Sequence, residues 1–473
     1  MKKIFPLVII AVCFFNVAGL VTASGCANII PPTGGPRDSL PPVLMEALPK
    51  DSTVNFKDYK ITLTFDEYVQ LDNNLNDQLI ISPNPEKIPV IEGKLRNVTI
   101  KLKDSLKPNT TYSINFGRAL KDVNENNVLK NFTYVFSTGD KLADGMITGN
   151  VKIAETGDAD STLLVLLHTN TTDSAIKKLK SDYYTRLDSS GNFRFKYLPN
   201  EKFAVYVLPN DYSKKYDDST KMFAFYNEPV EASTNPASIQ LYAYQEYKQV
   251  NKPVSASSGS DKEKKGNSDE DKRLKFGTNL ENNEQGLLDS LIFNFNRPVA
   301  KFDSSMVLLT DTSFKAIKNY SVIQTDTTAK RFALIYKWPE NQRYKLIIQK
   351  AAFTDSAGIT IAKDDTLNFK SKRESEYGSV RLHFNNLDLS KNPVLQLVKN
   401  KIVVQSVVLS TNEWYQKLFE PGQYDMRILF DDNKNGVWDP GNFDTKHQPE
   451  IVQKIQRPLI TKANWDNEID INL

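Results

Sequence analysis

Cysteine and histidine are the scarcest side chains with chemistry to offer in this sequence. Its 473 residues hold two cysteines and three histidines. His168, His383 and His447 are far apart in the chain, which leaves little material for a histidine-rich metal centre or a histidine-based catalytic dyad. Cys13 lies in an N-terminal apolar run, so Cys26 is the one cysteine of the remainder. An internal disulfide is thereby excluded there, and stability has to come from packed cores. A dominant charge is lacking too. Sixty Lys and Arg against 57 Asp and Glu leave a formal +3, part of it from Lys2 and Lys3, so no nucleic-acid or polybasic membrane footprint is expected. The sequence contains no Gly-rich phosphate loop, Gly-x-Ser-x-Gly elbow or His-Glu-x-x-His pattern. These absences point away from an enzyme.

What is present begins at the N-terminus. Lys2 and Lys3 precede the apolar stretch Ile4 to Phe15, Pro6 and Asn16 interrupt it, and Ala23-Ser24-Gly25-Cys26 follows. This order resembles a bacterial lipoprotein signal peptide, with Ala23 departing from the Leu-like residue of that pattern. The resemblance implies that residues 1–25 are removed and that Cys26 receives diacylglycerol and an N-acyl chain. Each buried methylene then contributes about 0.8 kcal/mol of attachment, and two or more chains give lasting anchorage. The alternative is an uncleaved N-terminal helix. Either way the bulk of the chain is expected in the cell envelope. The expectation is an outer-membrane lipoprotein on the periplasmic face, because no acidic cluster of the kind that resembles a surface-export signal follows Cys26.

Residues 26–41, with Pro31-Pro32-Thr33-Gly34-Gly35-Pro36, are too poor in core residues to fold and read as a tether. Alternation then sets in. Tyr59, Ile61, Leu63 and Phe65 interleave with polar residues, as do Val98, Ile100 and Leu102, then Tyr112, Ile114 and Phe116, then Phe132, Tyr134 and Phe136. Short strands of period two between polar turns predict a β-sandwich. Leu63-Thr64-Phe65-Asp66-Glu67-Tyr68-Val69, Leu106-Lys107-Pro108-Asn109-Thr110-Thr111-Tyr112, Leu120-Lys121-Asp122-Val123-Asn124 and Phe136-Ser137-Thr138-Gly139 together resemble the SbsA-type bacterial Ig-like domain first described in S-layer proteins, over residues 42–140. The Cys26 start with its Pro/Gly tether is similar to a family of envelope lipoproteins that carry this domain. Leu291 to Val299, Arg343 to Ile348 and Phe353-Thr354-Asp355 echo the motif. Phe65 to Tyr112 spans 47 positions and Phe295 to Tyr344 spans 49, so residues 274–372 read as a degenerate second copy.

Between the copies, the run Leu163 to Leu167, the turn Asp188-Ser189-Ser190-Gly191 and the alternation Phe203, Val205, Val207 mark another sandwich at 143–246. Val380, Leu382 and Phe384, the run Val394 to Val398, and Met426, Ile428 and Phe430 repeat that order at 375–473. Both stretches resemble prealbumin-like domains of the carboxypeptidase-regulatory or collagen-adhesin kind, used as stalks and spacers. Residues 247–273, rich in Ser, Gly and charge, read as a flexible linker. The expected fold is therefore all-β: tandem Ig-like and prealbumin-like β-sandwiches after a cleaved signal peptide, strung out as an extended array with a joint halfway.

One loop has metal-ligand spacing. Asp431, Asn433, Asn435 and Asp439 stand at positions 1, 3, 5 and 9 of a calcium loop, Gly436 takes the turn and Val437 offers its carbonyl, because a hard cation wants six to eight converging oxygens. Position 12 is Asn442, and Glu450 could replace the missing glutamate only through the fold. The competing reading is an Asn435-Gly436 hairpin turn. His447 near Asp444 and Glu450 offers a weaker metal pattern. Asp followed by Ser or Thr and then a small or apolar residue, at Ser39, Ser52, Ser105, Ser161, Ser174, Ser219, Ser290, Thr327, Ser356 and Thr366, is similar to the acceptor pattern of a bacterial O-glycosylation system. Asp-Ser is also an ordinary turn. The function expected is a non-enzymatic, membrane-anchored envelope module that is structural or binds a protein or glycan partner. The alternatives are a carbohydrate-binding adhesive protein, with Trp414, Trp438 and Trp465 as an exposed aromatic row, and a calcium-dependent hydrolase, with carboxylates converging near Asp439 at an interdomain cleft.

Overall fold

The computed structural model describes residues 37–246 and 273–473. The signal peptide, Cys26, most of the tether and nearly all of the linker lie outside the described residues. The chain divides into two units, Met1–Leu142 and Ala143–Leu473. Among the described residues no helix is long and apolar enough to cross a membrane.

In the first unit, alternation is converted directly into a core. The strand Lys60–Phe65 buries Ile61, Leu63 and Phe65 on one face. Tyr59 stands before the strand and is 77% exposed, so the periodicity starts two residues later than expected. Hydrogen bonding orders one sheet as Leu44–Leu48, Lys60–Phe65, Asn97–Lys101 and Val90–Lys94, and the other as Thr133–Ser137, Thr111–Asn115 and Ile80–Ser82. Ile61, Phe65, Val98, Ile100, Ile114, Phe116, Tyr134 and Phe136 fill the space between. A small third sheet joins Val69–Leu71, Leu120–Asp122 and Val128–Leu129. Fully buried Asp122 turns the chain there, accepting from the amides of Glu125 at 2.6 Å and of Asn126 and Asn127 at 2.8 Å. Burial works against its charge, yet these amides outweigh it and hold the carboxyl below the usual range.

The second unit contains the same topology again. Phe276–Thr278, Leu291–Phe295, Arg331–Ile335 and Ser321–Gln324 form one sheet, and Glu284–Gln285, Asp365–Ser371, Arg343–Ile348 and Val307–Asp311 the other. Register repeats as well: Val69 pairs with Asp122 in the first copy and Val299 with Asp355 in the second. Asp355 accepts from the amides of Ala357 at 2.9 Å and Ile359 at 2.8 Å, which hold its carboxyl low with help from Arg297. This sandwich encloses Phe293, Phe295, Phe332, Trp338, Tyr344 and Phe353.

Two further sandwiches in this unit share a second plan. In one, Gly145–Ile153 pairs antiparallel with Asn192–Leu198 and parallel with Ser238–Ala243. In the last, Gly378–Asn385 pairs antiparallel with Glu413–Phe419 and parallel with Asp466–Asn472. Facing these are the sheets around Leu163–His168 and around Pro393–Lys399. Both faces of these two strands are covered, so Leu163–Leu167 is an unbroken apolar run and Pro393–Val398 is broken only by buried Gln396, which accepts from Arg427. Leu163, Val165 and Leu167 point into the sandwich, and Leu164 and Leu166 into a separate outer cluster. A half-buried sheet would have shown alternation instead.

Candidate functional site

The outer cluster belongs to two sandwiches at once. Phe443, 1% exposed, reaches from the loop 431–450 of the last sandwich into an aromatic box on the sandwich 143–246. Its ring centroid lies 5.1 Å from Phe223, 5.2 Å from Phe225, 5.9 Å from Tyr206 and 6.0 Å from Tyr216. Lys446 lies over the ring at 3.9 Å. The Phe443 amide donates to Glu246 at 2.8 Å, the Val452 amide to the Ala154 carbonyl at 2.9 Å, and the Gln448 side chain to Asn227 at 2.7 Å. Ion pairs Lys446–Asp173, Lys177–Asp444 and Lys454–Asp158 surround this core. All are substantially exposed, so each contributes about 0 to 1 kcal/mol, and burial of Phe443 dominates. Burial raises the hydroxyl pKa of Tyr206 to about 12. Gly441 permits the approach, since a Cβ there would meet the Tyr244 ring at 2.8 Å. The extended array expected from the sequence is therefore overturned for this unit. The sandwich at 143–246 and the last sandwich, at 375–473, clasp each other.

The clasp loop includes the residues with calcium spacing. Asp431, 2% exposed, accepts from the amides of Asn435 at 3.2 Å and Gly436 at 2.6 Å. Asn433 and Asn435 direct their amide nitrogens onto Asp439, at 2.5 and 2.6 Å. Glu450, 3% exposed, does come back to the loop through the fold. Its two oxygens accept from the amides of Asp432 and Asp439, each at 2.9 Å, and its carbonyl accepts from the Trp438 indole at 2.8 Å. Burial, then the charges of Asp431 and Asp439, raise its pKa. Among the described residues no three His, Cys, Asp or Glu side chains are gathered as a ready metal cluster. For a cation to sit here, Asn433 and Asn435 would turn over to present oxygens beside Asp431 and the Val437 carbonyl. That oxygen set suits calcium in chemistry.

The other predicted residues are dispersed. Asp444 pairs with Lys177 and Glu450 serves the loop amides, so neither forms a site with His447. His168 is 1% exposed at its strand end, where burial lowers its pKa, and His383 contacts Glu468 at 2.8 Å. Trp414 packs against the last core and Trp438 against Val394, Leu429 and Val452, while Trp465 is 57% exposed. The three do not form an exposed row. A cleft of about 420 Å³ does lie between the clasped sandwiches, lined by Glu155, Glu246, Gln396, Arg427 and Trp438. Asp431, Asp439 and Glu450 are not among the residues lining it. Of the ten Asp-Ser and Asp-Thr hydroxyl residues none is buried: Ser219 and Ser290 are half-exposed and the others exposed. At several of them the aspartate has a turn to hold, as Asp38 accepts from Leu40, Asp160 from Thr162 and Asp218 from Thr220. Sequence reasoning missed the clasp. Its one local signal was Phe443, an isolated large apolar residue in a polar loop.

With this geometry in view, comparison with known proteins adds one assignment. Residues 38–138 match the family described as bacterial Ig-like domain. No curated protein matches the sequence. Among solved structures, the major pilin subunit BcpA of Bacillus cereus is 11% identical, with 69% of this chain and 98% of that one covered at a TM-score of 0.17. The N-terminal part of the bacterial S-layer protein SbsC is 14% identical, with 43% and 44% covered at 0.16. The BSP domain of a biofilm-associated protein is 11% identical, with 85% and 97% covered at 0.16. Scores this low carry no argument about function.

Proposed function

We propose that this chain is a non-enzymatic envelope lipoprotein, held to the membrane through Cys26 and acting as a structural or interaction module. The observation that carries the reading is the clasp. Buried side chains that could have served chemistry are spent on holding sandwiches in place: Asp122 and Asp355 fasten turns, and Asp431 and Glu450 fasten the clasp loop, while half-buried Glu246 accepts from Phe443. The bacterial Ig-like domain at residues 38–138 supports an envelope or surface setting. In this reading the outer membrane is the anchor and the periplasmic face the location, and the partner is an envelope protein or glycan. The accessible Asp-Ser and Asp-Thr sites carry O-glycans, and the Asp431 loop holds calcium, with Asp431, Asn433, Asn435, Val437 and Asp439 as the residues that would bind it. Fractionation of a Cys26→Ser variant tests the anchor. Release from the membrane with unchanged circular dichroism is expected, and continued membrane attachment would refute it. Pull-down from detergent extracts then separates a protein partner from glycan retention.

A further inference from the structure

We propose that the strand Ile402–Val408 pairs edge to edge, antiparallel, with the same strand of a second copy of this chain. The strand lies at the end of its sheet; its backbone pairs only with Pro393–Lys399, and its Gln405 side chain donates to Gln416 of the facing sheet at 2.8 Å. Among the described residues no backbone group bonds its outer edge. Its seven residues, Ile-Val-Val-Gln-Ser-Val-Val, hold no charge and no proline, and Ile402, Val403, Val404 and Val408 are 67, 37, 52 and 66% exposed.

Free edges are templates for further pairing, and proteins blunt them with charge, proline or cover. Among the described residues, other long edges are blunted in that way, while Ser321–Gln324, uncharged and exposed, is only four residues long. Val90–Lys94 carries Glu92 and Lys94, Asn192–Leu198 carries Arg194 and Lys196, and Ile451–Thr461 carries Lys454, Arg457 and Pro458. Thr133–Ser137 is uncharged but covered, by bonds between Ser52 and Val135 and between Ser137 and Thr53. Ser238–Ala243 is uncharged but shows solvent only Ser238 and Gln240 as fully exposed positions. The topological counterpart in the other sandwich of this plan, Tyr183–Arg186, is shorter, carries Arg186 and has no fully exposed position.

A second copy fits the edge because the strand is complementary to itself. A two-fold axis at Gln405 sets Ile402 against Val408, Val403 against Val407 and Val404 against Ser406, so that β-branched side chains meet across most of the joint. One strand pair is a small interface, below about 1,200 Å², and the dimer is accordingly weak and concentration-dependent.

The test uses the full chain in detergent with Cys13→Ser and Cys26→Ser, so that a cysteine introduced by Gln405→Cys is the only thiol. Sedimentation from about 1 to 100 µM, the range for a weak interface, is expected to show a monomer–dimer equilibrium, and mild oxidation a reducible dimer linked through position 405. Val404→Lys, at an exposed position, is expected to weaken dimerisation by about tenfold or more with an unchanged melting curve. A monomer throughout the range, as would follow if another segment of the chain covered the edge, overturns the proposal. So does a dimer that ignores Val404→Lys and fails to cross-link at 405.

Discussion

Replacing Phe443 with Ala should uncouple two sandwiches without unfolding either. The ring is 1% exposed, lies within 5.1 to 6.0 Å of four aromatic rings of the other sandwich and sits outside both internal cores. Truncating a buried Phe costs about 3 to 5 kcal/mol. At about 1.4 kcal/mol per decade, the clasp equilibrium shifts by roughly two to three and a half orders of magnitude toward the open form. The surrounding ion pairs cannot offset this, since exposed pairs contribute about 1 kcal/mol each at most. The assay is hydrogen exchange at Phe443 and Val452, whose amides bond across the clasp to Glu246 and Ala154, combined with calorimetry. Both amides should lose protection, and one melting transition should separate into two. Retained protection at Val452 with an unchanged single transition would refute the reasoning, because the docking would then not depend on the ring.

Five further outcomes are expected. Asp122→Ala removes the acceptor of three partly buried turn amides, at about 1 kcal/mol each, and should lower the melting temperature of the first sandwich while leaving the second unit's transitions in place. Asp122 and Asp355 have lowered pKa values, so their contributions are complete above the ordinary carboxylate pKa of about 3.9 and vanish as pH falls through the lower folded values; melting temperatures should drop below about pH 4, and less so in Asp122→Asn. Glu450 has the opposite sign: folding disfavours its ionised form, an effect absent below the ordinary glutamate pKa that grows as pH rises through the raised value, and Glu450→Gln should remove that part of the stability-against-pH curve. Calcium at about 100 times its dissociation constant should stabilise the clasp-bearing sandwich by about 2.7 kcal/mol, and Asp431→Ala should abolish the response in a thermal shift. Intact-mass spectrometry reads the ten hydroxyl sites, and an unmodified mass from the native envelope removes O-glycosylation.

The all-β architecture was legible wherever one face of a strand meets water. Ile61, Leu63 and Phe65 alternate with Lys60, Thr62 and Thr64, and the core follows that period. The run Leu163 to Leu167 marked a strand of a sandwich, yet neither the covering of its outer face nor what covers it was readable. Leu164 and Leu166 lie far in sequence from Phe443, and no local period reports a contact of that range. Glu450 illustrates the same limit from the polar side. Its sequence position is outside the loop that begins at Asp431, and only strand pairing through Phe430 and Ile451 returns it to the amides of Asp432 and Asp439.

The parallel pairing of Gly145–Ile153 with Ser238–Ala243 has a mechanical consequence. Adjacent parallel strands that open and close a sandwich send the incoming chain to one pole and the outgoing chain to the other. Tension along the chain then pulls the two strands lengthwise past each other, and the rungs from Thr148 with Ser238 to Ile153 with Ala243 share the load together instead of parting in succession. Such a sandwich resists being drawn out by its ends far better than it resists peeling from one edge.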